Sequence, residues 1–197
     1  VVAVLAVVSA GGPPLLKEGE TAVLFEGFED KTRFYAPKWE NTDGGESCQP
    51  SKAWVSEGAQ SLACTVNQRK RGAATFSVDG FRPSSWTKYK AVGLDVKNAT
   101  GKDLLMVIAF QDSASWSWSE SAAVPVKAGE AVTNIRFDIG GKNFGKSYET
   151  YAAAKDGSLK RDQKIKGLNG LGRFNIRFYG EEGQAGTIFI DNIRLVQ

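Results

Sequence analysis

From Thr21 onward, hydrophobic and polar residues alternate in short runs that are separated by turn-forming residues. The pattern is clearest in the runs 134–139 and 174–179. Successive side chains of a β-strand point to opposite faces, so each run predicts a strand with one face in a core and one in water. The hydrophobic members of the two runs are Ile135, Phe137, Ile139, Phe174, Ile176 and Phe178.

Ten such runs predict strands, and no internal repeat accompanies them. Only the stretch 147–155 permits a helix, which we expect to be one or two turns within a long loop. Short strands without helices between them are typical of an all-β fold in which two antiparallel sheets pack face to face. We therefore predict a two-sheet antiparallel β-sandwich of the jelly-roll type. The predicted strands are 22–28, 52–57, 60–67, 73–78, 90–97, 103–111, 121–127, 131–138, 173–179 and 186–196.

The 197 residues, 42% of them hydrophobic, fit one globular domain, which we place at 21–197. Residues 1–10 are almost entirely apolar, and Gly11-Gly12-Pro13-Pro14 then breaks the chain. Segment 1–20 is interpreted as a signal-peptide remnant, an edge strand or a linker. Its apolar part is too short to cross a bilayer. We expect a secreted protein without a membrane partner.

Charge and composition exclude several function classes. The chain has 25 basic and 22 acidic residues and a net charge of +3, so it has no strong field for nucleic acid or anionic lipid. It contains no histidine, which excludes Ser/His and Cys/His nucleophiles and histidine zinc ligands. Two cysteines, Cys48 and Cys64, form either a disulfide or two buried thiols.

Long polar side chains occupy the predicted water-facing sides of several strands. Gln111, Arg136, Asn175, Arg177 and Tyr179 lie on strands that we expect to be neighbours in one sheet. Amides and guanidinium groups can bind paired hydroxyls of a sugar ring, so these residues are candidates for ligand binding. The alternative is a solvated face on which the two arginines pair with Asp138 or a nearby glutamate.

The five tryptophans are the second set of candidates. Trp116 and Trp118 alternate with serines in the polar run 112–119, so we expect both rings on one side as a flat platform. The C–H face of a pyranose packs on such a ring while its hydroxyls bind polar neighbours. Trp39 lies in a predicted loop and is a third candidate. Trp54 and Trp86 lie near the ends of predicted strands. For each of them the sequence leaves two alternatives open, contact with a ligand or packing in the core.

Four segments resemble carbohydrate-binding modules of the galactose-binding-like jelly-roll type, which are attached to bacterial plant-cell-wall hydrolases. The resemblance spans 22–196. It implies non-catalytic binding of a soluble β-1,4-linked glucan or mannan, and an attached catalytic domain as partner. We expect a monomer that binds polysaccharide and no nucleic acid. The segments are Leu24–Asp30 (LFEGFED), Val55–Leu62 (VSEGAQSL), Ser85–Tyr89 (SWTKY) and Ile188–Leu195 (IFIDNIRL).

The same family commonly carries a structural calcium ion. Asp191 alternates with hydrophobic residues of the last strand, which predicts a carboxylate that points inward, and a buried unpaired charge is costly. Glu26 and Glu29 of the first strand, with backbone carbonyls of 52–57, would complete an oxygen shell. The alternative is that Asp191 binds backbone amides and the two glutamates are solvated.

Two other function classes stay open. Glycoside hydrolysis needs two carboxylates across the scissile bond, and no Glu-x-Asp-x-Glu run is present. A lyase would instead use tyrosine as base and arginine as charge neutraliser. A protein-binding adhesive sandwich, with Trp116 and Trp118 as anchors, fits every argument about the fold. The residues available to a lyase are Tyr148, Tyr151, Tyr179, Arg136 and Arg177.

Overall fold

The computed structural model describes residues 14–39, 46–68 and 72–197. These residues form twelve strands and one short helix. The elements are β1 Ala22–Glu26, β2 Ser47–Ser51, β3 Ser61–Asn67, β4 Ala74–Asp79, β5 Ala91–Asn98, β6 Leu104–Asp112, β7 Trp118–Ser121, β8 Val124–Val126, β9 Ala131–Asp138, β10 Phe144–Gly145, α1 Tyr151–Asp156, β11 Leu171–Tyr179 and β12 Ala185–Val196.

The strands form two six-stranded antiparallel sheets. The first sheet has the order β2-β3-β12-β5-β9, and β1 pairs with β12 beside β3. The second sheet has the order β10-β7-β6-β11-β4, and β8 pairs with β6 beside β7. The predicted all-β sandwich of two antiparallel sheets is therefore confirmed.

The longest strand, β12, holds the first sheet together. Its residues Ala185–Ile190 pair with β3, and Ile193–Val196 pair with β1, while β5 pairs along the opposite edge. The register with β5 shifts between Asp191 and Arg194, where Asn192 has a left-handed φ of 52°. This bulge lies where the partner on the other edge of β12 changes from β3 to β1.

Trp86 lies at the centre of the core between the sheets. Its side chain is fully buried, and its Nε1 donates a hydrogen bond to the carbonyl oxygen of Pro83 (2.9 Å). The prediction that Trp86 contacts a ligand is therefore wrong, and the alternative of a core side chain is correct. The aromatic rings with centroids 5.3 to 5.6 Å from Trp86 are those of Phe25, Phe81, Phe110 and Phe174.

Most predicted strands are observed within two residues of their predicted ends, with two differences. The run 52–57 is irregular, and β2, which precedes it, is the strand beside β3. Its sequence Ser-Cys-Gln-Pro-Ser lacks β-branched and aromatic residues, so it gave no strand signal. The run 121–127 contains only the last residue of β7 and the short strand β8, and both strands pair with β6.

The predicted helical stretch 147–155 contains α1 except for its last residue, Asp156. The side chain of Thr150 accepts a hydrogen bond from the amide of Ala153, and Gly157 ends the helix with a left-handed φ of 64°. A side chain that accepts at the N-terminus and a left-handed glycine at the C-terminus are the standard helix caps. Among the described residues, no helix has the length and apolar character that a membrane span needs.

The described part of the segment 1–20 packs on the first sheet. Leu15 is buried against Ala91 and Val196, and its carbonyl oxygen accepts a hydrogen bond from Arg136 (2.6 Å). The sandwich thus includes residues before 21. The interpretations of residues 1–10 concern a segment outside the described residues.

Candidate functional site

The outer face of the second sheet divides into two ends along β11. Phe174, Ile176 and Phe178 point into the core, so the residues between them point outward. We call the part formed by Trp39, Gln111, Trp116 and Arg173 the open end. The part formed by Glu120, Tyr148, Arg177 and Tyr179 is the covered end.

The open end is a shallow depression that faces solvent. Trp39 and Trp116 are 47% and 51% exposed. The guanidinium carbon of Arg173 lies 5.1 Å from the centroid of each of these rings. Two flat apolar surfaces therefore stand beside one planar hydrogen-bonding group, an arrangement that presents both stacking surface and polar contacts to a ligand.

A carboxylate compensates the charge of Arg173. Its Nε and Nη2 donate to the two oxygens of Asp79 (2.6 and 3.0 Å), and its Nη1 donates to Oε1 of Gln111 (3.2 Å). Burial alone would raise the pKa of Asp79, but hydrogen bonds from Arg173 and from the hydroxyl of Tyr35 (2.6 Å) lower it below 3.8. Asp79 is consequently ionised at neutral pH, and the pair carries no net charge.

Trp116 lies in a turn that a single carboxylate organises. Asp112 accepts hydrogen bonds from the amides of Ala114 (2.9 Å), Ser115 (2.6 Å) and Ser117 (2.9 Å), and from the Ser115 hydroxyl (2.7 Å). These bonds, with those from Ser115 the largest, lower the pKa of Asp112 to about 2. The turn holds Trp116 in a left-handed backbone conformation with φ 54°, which is unfavourable for a non-glycine residue.

Trp118 lies between the two ends and is half-buried. Its ring packs edge-to-face on Trp39, with centroids 6.4 Å apart, and its Nε1 donates to Oε2 of Glu120 (3.2 Å). The expectation that Trp116 and Trp118 both lie on a strand is wrong, because β7 begins at Trp118 and Trp116 belongs to the preceding turn. Both rings nevertheless lie on the outer face of the second sheet, near Trp39 and Arg173.

The covered end contains a buried ion pair. Nη1 of Arg177 donates to Glu120 (2.6 Å), and both side chains are almost completely buried. The Tyr179 hydroxyl donates to Glu120 (3.2 Å) and accepts from Arg177 (2.8 Å). Burial raises the pKa of Tyr179 far above its ordinary value of 10.0. The charges and hydrogen-bonding groups of these three side chains are therefore paired with one another and are inaccessible to solvent.

The segment that contains α1 covers this end. Tyr148 and Ala154 are buried against Val107 and Tyr179, and the rings of Tyr148 and Tyr179 meet edge-to-face with centroids 5.9 Å apart. The amide of Tyr148 also donates to Glu120 (3.0 Å). The prediction that Arg177 and Tyr179 face solvent is therefore wrong, because a segment distant in sequence packs over them.

Asn175 is fully buried as well, so the prediction that it faces water is also wrong. Its Oδ1 accepts a hydrogen bond from the hydroxyl of Ser77 (2.7 Å), and its Nδ2 donates to the carbonyl oxygen of Ala109 (3.3 Å). These partners lie on β4 and β6, on either side of β11. The amide thus joins three strands.

Arg136 lies on β9 of the first sheet, so the expectation that it neighbours Arg177 is wrong. Its guanidinium donates to both oxygens of Glu20 (2.7 and 3.1 Å) and to Asp138 (2.7 Å). The pairing with Asp138 that we considered as the alternative is therefore observed, and Arg136 has a structural role.

Trp54 lies in the loop between β2 and β3, beside the first sheet. It is half-buried, and its ring lies 6.3 Å from Phe189, a residue on the outer side of β12. The structure therefore brings only three of the five tryptophans, Trp39, Trp116 and Trp118, to the outer face of the second sheet.

Asp191 is fully buried in the first sheet, as expected. It accepts hydrogen bonds from the amides of Ser56 (2.8 Å), Glu57 (3.2 Å) and Asn192 (2.8 Å). Burial raises the pKa of Asp191 above 3.8, although these bonds oppose the rise. The amide bonds of the alternative interpretation are therefore present.

The other two predicted metal ligands have hydrogen-bond partners of their own. Glu26 accepts from the amide of Phe28 (3.0 Å), and Glu29 accepts from the amide of Ala59 (2.9 Å). Within residues 14–39, 46–68 and 72–197, no three acidic or cysteine side chains form a group that could hold a metal ion. Calcium binding by Glu26, Glu29 and Asp191 therefore stays a prediction.

The most important residue that the sequence analysis missed is Arg173. It shares its face of β11 with Asn175 and Arg177, so period-two alternation could have identified it. Its partner Asp79 lies on β4, 94 residues away in sequence, and only the pairing of β4 with β11 brings them together. Glu120 was missed because its partners Tyr148 and Arg177 are distant in sequence. Asp112 was also missed, although its hydrogen bonds to residues 114–117 are local and an aspartate before a serine-rich run is a turn signal.

Comparison with solved structures identifies similar folds. A family 11 carbohydrate-binding module from Clostridium thermocellum, in complex with a β-1,3-1,4-mixed-linked tetrasaccharide, aligns with a TM-score of 0.59. The identity is 14%, over 88% of this chain and 94% of the module. The family 11 module of a cellulosomal cellulase from the same organism gives a TM-score of 0.57 at 12% identity, over 89% and 94% of the two chains.

An exo-β-agarase also contains a similar region. It aligns with a TM-score of 0.55 at 12% identity over 88% of this chain, which corresponds to 24% of the agarase chain. No protein-family model matches the sequence. No curated protein matches it either. The structural likeness shows that this chain has the β-sandwich fold of carbohydrate-binding modules.

Proposed function

We propose that this chain is a non-catalytic module that binds a neutral polysaccharide at the open end. The observation that carries the proposal is the pair of half-exposed indole rings, Trp39 and Trp116, on either flank of Arg173. The two rings form one exposed aromatic patch, and such a patch is typical of a binding site.

The chemistry of the open end suits a sugar ring. The C–H face of a pyranose is apolar and packs on an indole, whereas its hydroxyls need planar donors and acceptors at the rim. Arg173 and Gln111 supply those groups beside the rings. Their bond to each other and the bonds to Asp79 fix their orientation before a ligand arrives, which lowers the entropic cost of binding.

The charges favour a neutral ligand over an acidic one. The guanidinium of Arg173 is paired with Asp79, and that of Arg177 is paired with Glu120 inside the sheet. A uronate carboxylate would have to compete with Asp79 for the same guanidinium group and would meet its negative charge. A neutral hydroxyl group has no such conflict.

Within this class, we propose a soluble β-1,4-linked glucan or mannan of plant cell walls as the ligand. The sequence resemblance supports it, as does the fold shared with a module solved with a β-1,3-1,4-mixed-linked tetrasaccharide. Secretion, a monomeric state and an attached hydrolase that the module targets to its substrate belong to the same proposal.

A lyase is disfavoured by the state of its candidate residues. Tyr179 and Arg177 are buried, and the raised pKa of Tyr179 makes its hydroxyl a poor base at neutral pH. Tyr148 is buried beside them, and Arg136 lies on the other sheet. A protein-binding sandwich, in which Trp39 and Trp116 would be interface anchors, is distinguished by the following experiment.

Affinity electrophoresis on mannan, mixed-linkage glucan, xyloglucan and xylan tests the proposal, with polygalacturonate as the acidic arm. We expect retardation on at least one neutral glycan and none on polygalacturonate. In Trp39→Ala and Trp116→Ala the dissociation constant should rise about tenfold or more, which corresponds to about 1.4 kcal/mol each.

Trp54→Ala is the matched control, because it removes a half-buried indole that lies beside the first sheet and outside the open end. It should leave migration unchanged once its melting curve shows that it is folded. If the wild type migrates freely on every neutral glycan, the proposal is wrong and protein binding becomes the better interpretation.

A further inference from the structure

Cys48 and Cys64 lie directly opposite each other on neighbouring antiparallel strands. The register of β2 and β3 pairs Ser47 with Thr65, Cys48 with Cys64 and Pro50 with Leu62. Cys64 is fully buried, and Cys48 is half-buried and packs on the same core. Both side chains thus point to one face of the sheet, and both thiols are free.

Pro50 shows which kind of cross-strand pair the cysteines form. Opposite residues of an antiparallel ladder alternate between hydrogen-bonded and non-hydrogen-bonded pairs. Proline has no amide hydrogen, so Pro50 and Leu62 cannot exchange two hydrogen bonds and form a non-hydrogen-bonded pair. Cys48 lies two positions from Pro50, and Cys64 lies two positions from Leu62, so the two cysteines also form a non-hydrogen-bonded pair.

This kind of pair matches the geometry of a disulfide. The Cα atoms of a non-hydrogen-bonded pair lie about 4.5 Å apart, and disulfides join Cα atoms separated by about 4.4 to 6.8 Å. In a hydrogen-bonded pair, by contrast, the side chains diverge more. The register therefore places Cys48 and Cys64 at a backbone separation that a disulfide can span without rearrangement of either strand.

We propose that Cys48 and Cys64 form an oxidation site that closes into a cross-strand disulfide between β2 and β3. With a small-molecule disulfide such as glutathione disulfide, the Cys48 thiolate attacks one sulfur and releases one glutathione thiolate. The Cys64 thiolate then attacks the Cys48 sulfur of the mixed disulfide and releases the second glutathione. Two protein thiols are oxidised and one glutathione disulfide is reduced to two thiols.

The surroundings set the order and the rate of these steps. Cys48 is the accessible thiol, and its Sγ donates to the carbonyl oxygen of Phe34 (3.2 Å). Burial raises the pKa of Cys48 to about 11 and raises that of Cys64 well above 9.0. Thiolate is scarce in both at neutral pH, so closure in the folded protein is slow and accelerates as the pH rises.

The disulfide would brace an edge of the sandwich. β2 is the edge strand of the first sheet, and the bridge would close a loop over residues 49–63. That loop carries Ser56 and Glu57, whose amides bind the buried carboxylate of Asp191. The bridge would hold the loop on β12 in the native state and restrict it in the unfolded chain. This inference does not rest on glycan binding.

The test compares the melting temperatures of the reduced and the oxidised full chain. One sample is kept in dithiothreitol, and the other is equilibrated with glutathione disulfide at pH 8.5 to 9, alkylated and checked by mass spectrometry of its peptides. We expect a peptide that joins Cys48 to Cys64, and a melting temperature higher by roughly 5–10 °C than that of the reduced chain.

Cys48→Ser, treated in the same two ways, is the control and should melt at one temperature in both. An unfolded chain with two cysteines also forms this bridge, so stability is the decisive quantity. If the bridge forms more favourably in the folded chain than in the unfolded chain, then by thermodynamic linkage it must also raise the stability of the folded chain. The proposal is overturned if the bridged chain melts at or below the reduced chain, or if folded protein accumulates glutathione on Cys48 without closing.

Discussion

Arg173 and Arg177 point outward from the same face of β11, and each pairs with a carboxylate from another strand. Their surroundings nevertheless differ. The Arg173 side chain is 14% exposed and its partner Asp79 is 38% exposed, whereas Arg177 and Glu120 are 3% and 0% exposed. The same residue type in the same sequence pattern therefore belongs to a binding surface at one end of the strand and to the interior at the other.

The difference originates outside β11. At the covered end, Tyr148 and α1 pack over Tyr179, while Ser147 and the ring of Trp118 contact the guanidinium of Arg177. At the open end, the Asp112 turn and Trp39 rise beside Arg173 and leave its face accessible. Alternation along a strand thus determines only which side chains point away from the core. Whether those side chains are exposed to solvent depends on the loops that pack beside them.

The largest expected effect comes from breaking the buried ion pair. Glu120→Ala leaves the Arg177 guanidinium without its carboxylate in the interior, and we expect it to lower the free energy of unfolding by about 3–5 kcal/mol. Asp79→Ala breaks the pair at the open end and should cost under about 1 kcal/mol, because solvent reaches that arginine. Urea unfolding measures both.

Glycan binding should respond to the same two substitutions in the opposite order. Asp79→Ala frees Arg173 from its fixed orientation and should weaken binding, while folded Glu120→Ala should bind nearly as well as wild type. Equal losses of stability in the two variants would contradict the division into an open and a covered end.

A second, smaller effect is expected from the turn that carries Trp116. An amide cannot accept every hydrogen bond that the Asp112 carboxylate accepts, so Asp112→Asn should loosen the turn and raise the dissociation constant for glycan about three- to tenfold. Calorimetric titration with the best-bound glycan measures the change.

Asp103→Asn is the control for the turn, because Asp103 also accepts a hydrogen bond from a turn amide, that of Ala128, but away from the open end. Its binding should equal that of the wild type. If Asp112→Asn binds as tightly as the control, the carboxylate does not position Trp116.

The smallest effect is a dependence of stability on acid pH. The pKa of Asp112 is lowered from 3.8 to about 2, so its stabilising contribution is complete above about pH 5 and is lost as the pH falls through 3.8 towards 2. Between pH 5 and 8 this residue should add no slope. Unfolding curves from pH 2 to 5 should fall less steeply for Asp112→Asn than for wild type, and parallel curves would contradict the assignment.

The sequence was sufficient for the sandwich because the core is encoded locally. Phe174, Ile176 and Phe178 alternate with polar residues, and each is fully buried. It was not sufficient for β2, since the strand Ser47–Ser51 lacks hydrophobic alternation and is held by its pairing with β3. A period-two pattern identifies a strand that has one face in the core. An edge strand without this pattern can be identified only from its pairing with a neighbouring strand.

The candidate site was only partly predictable for the same reason. Exposed Trp39 and Trp116 could be proposed from their polar surroundings in the chain, and Gln111 from its strand face. The burial of Arg177 could not, because it depends on Glu120 and Tyr148 from other segments. Arg136 was assigned to the wrong sheet because alternation does not specify which strands pair.

The backbone of Trp116 has one further consequence. At φ 54° an L-residue with a bulky side chain is strained, and glycine alone would be relaxed there. Trp116→Gly should therefore fold at least as well as the native chain. A bulky side chain at such a position does not serve the stability of the turn, which agrees with the proposed contact between the Trp116 indole and a ligand.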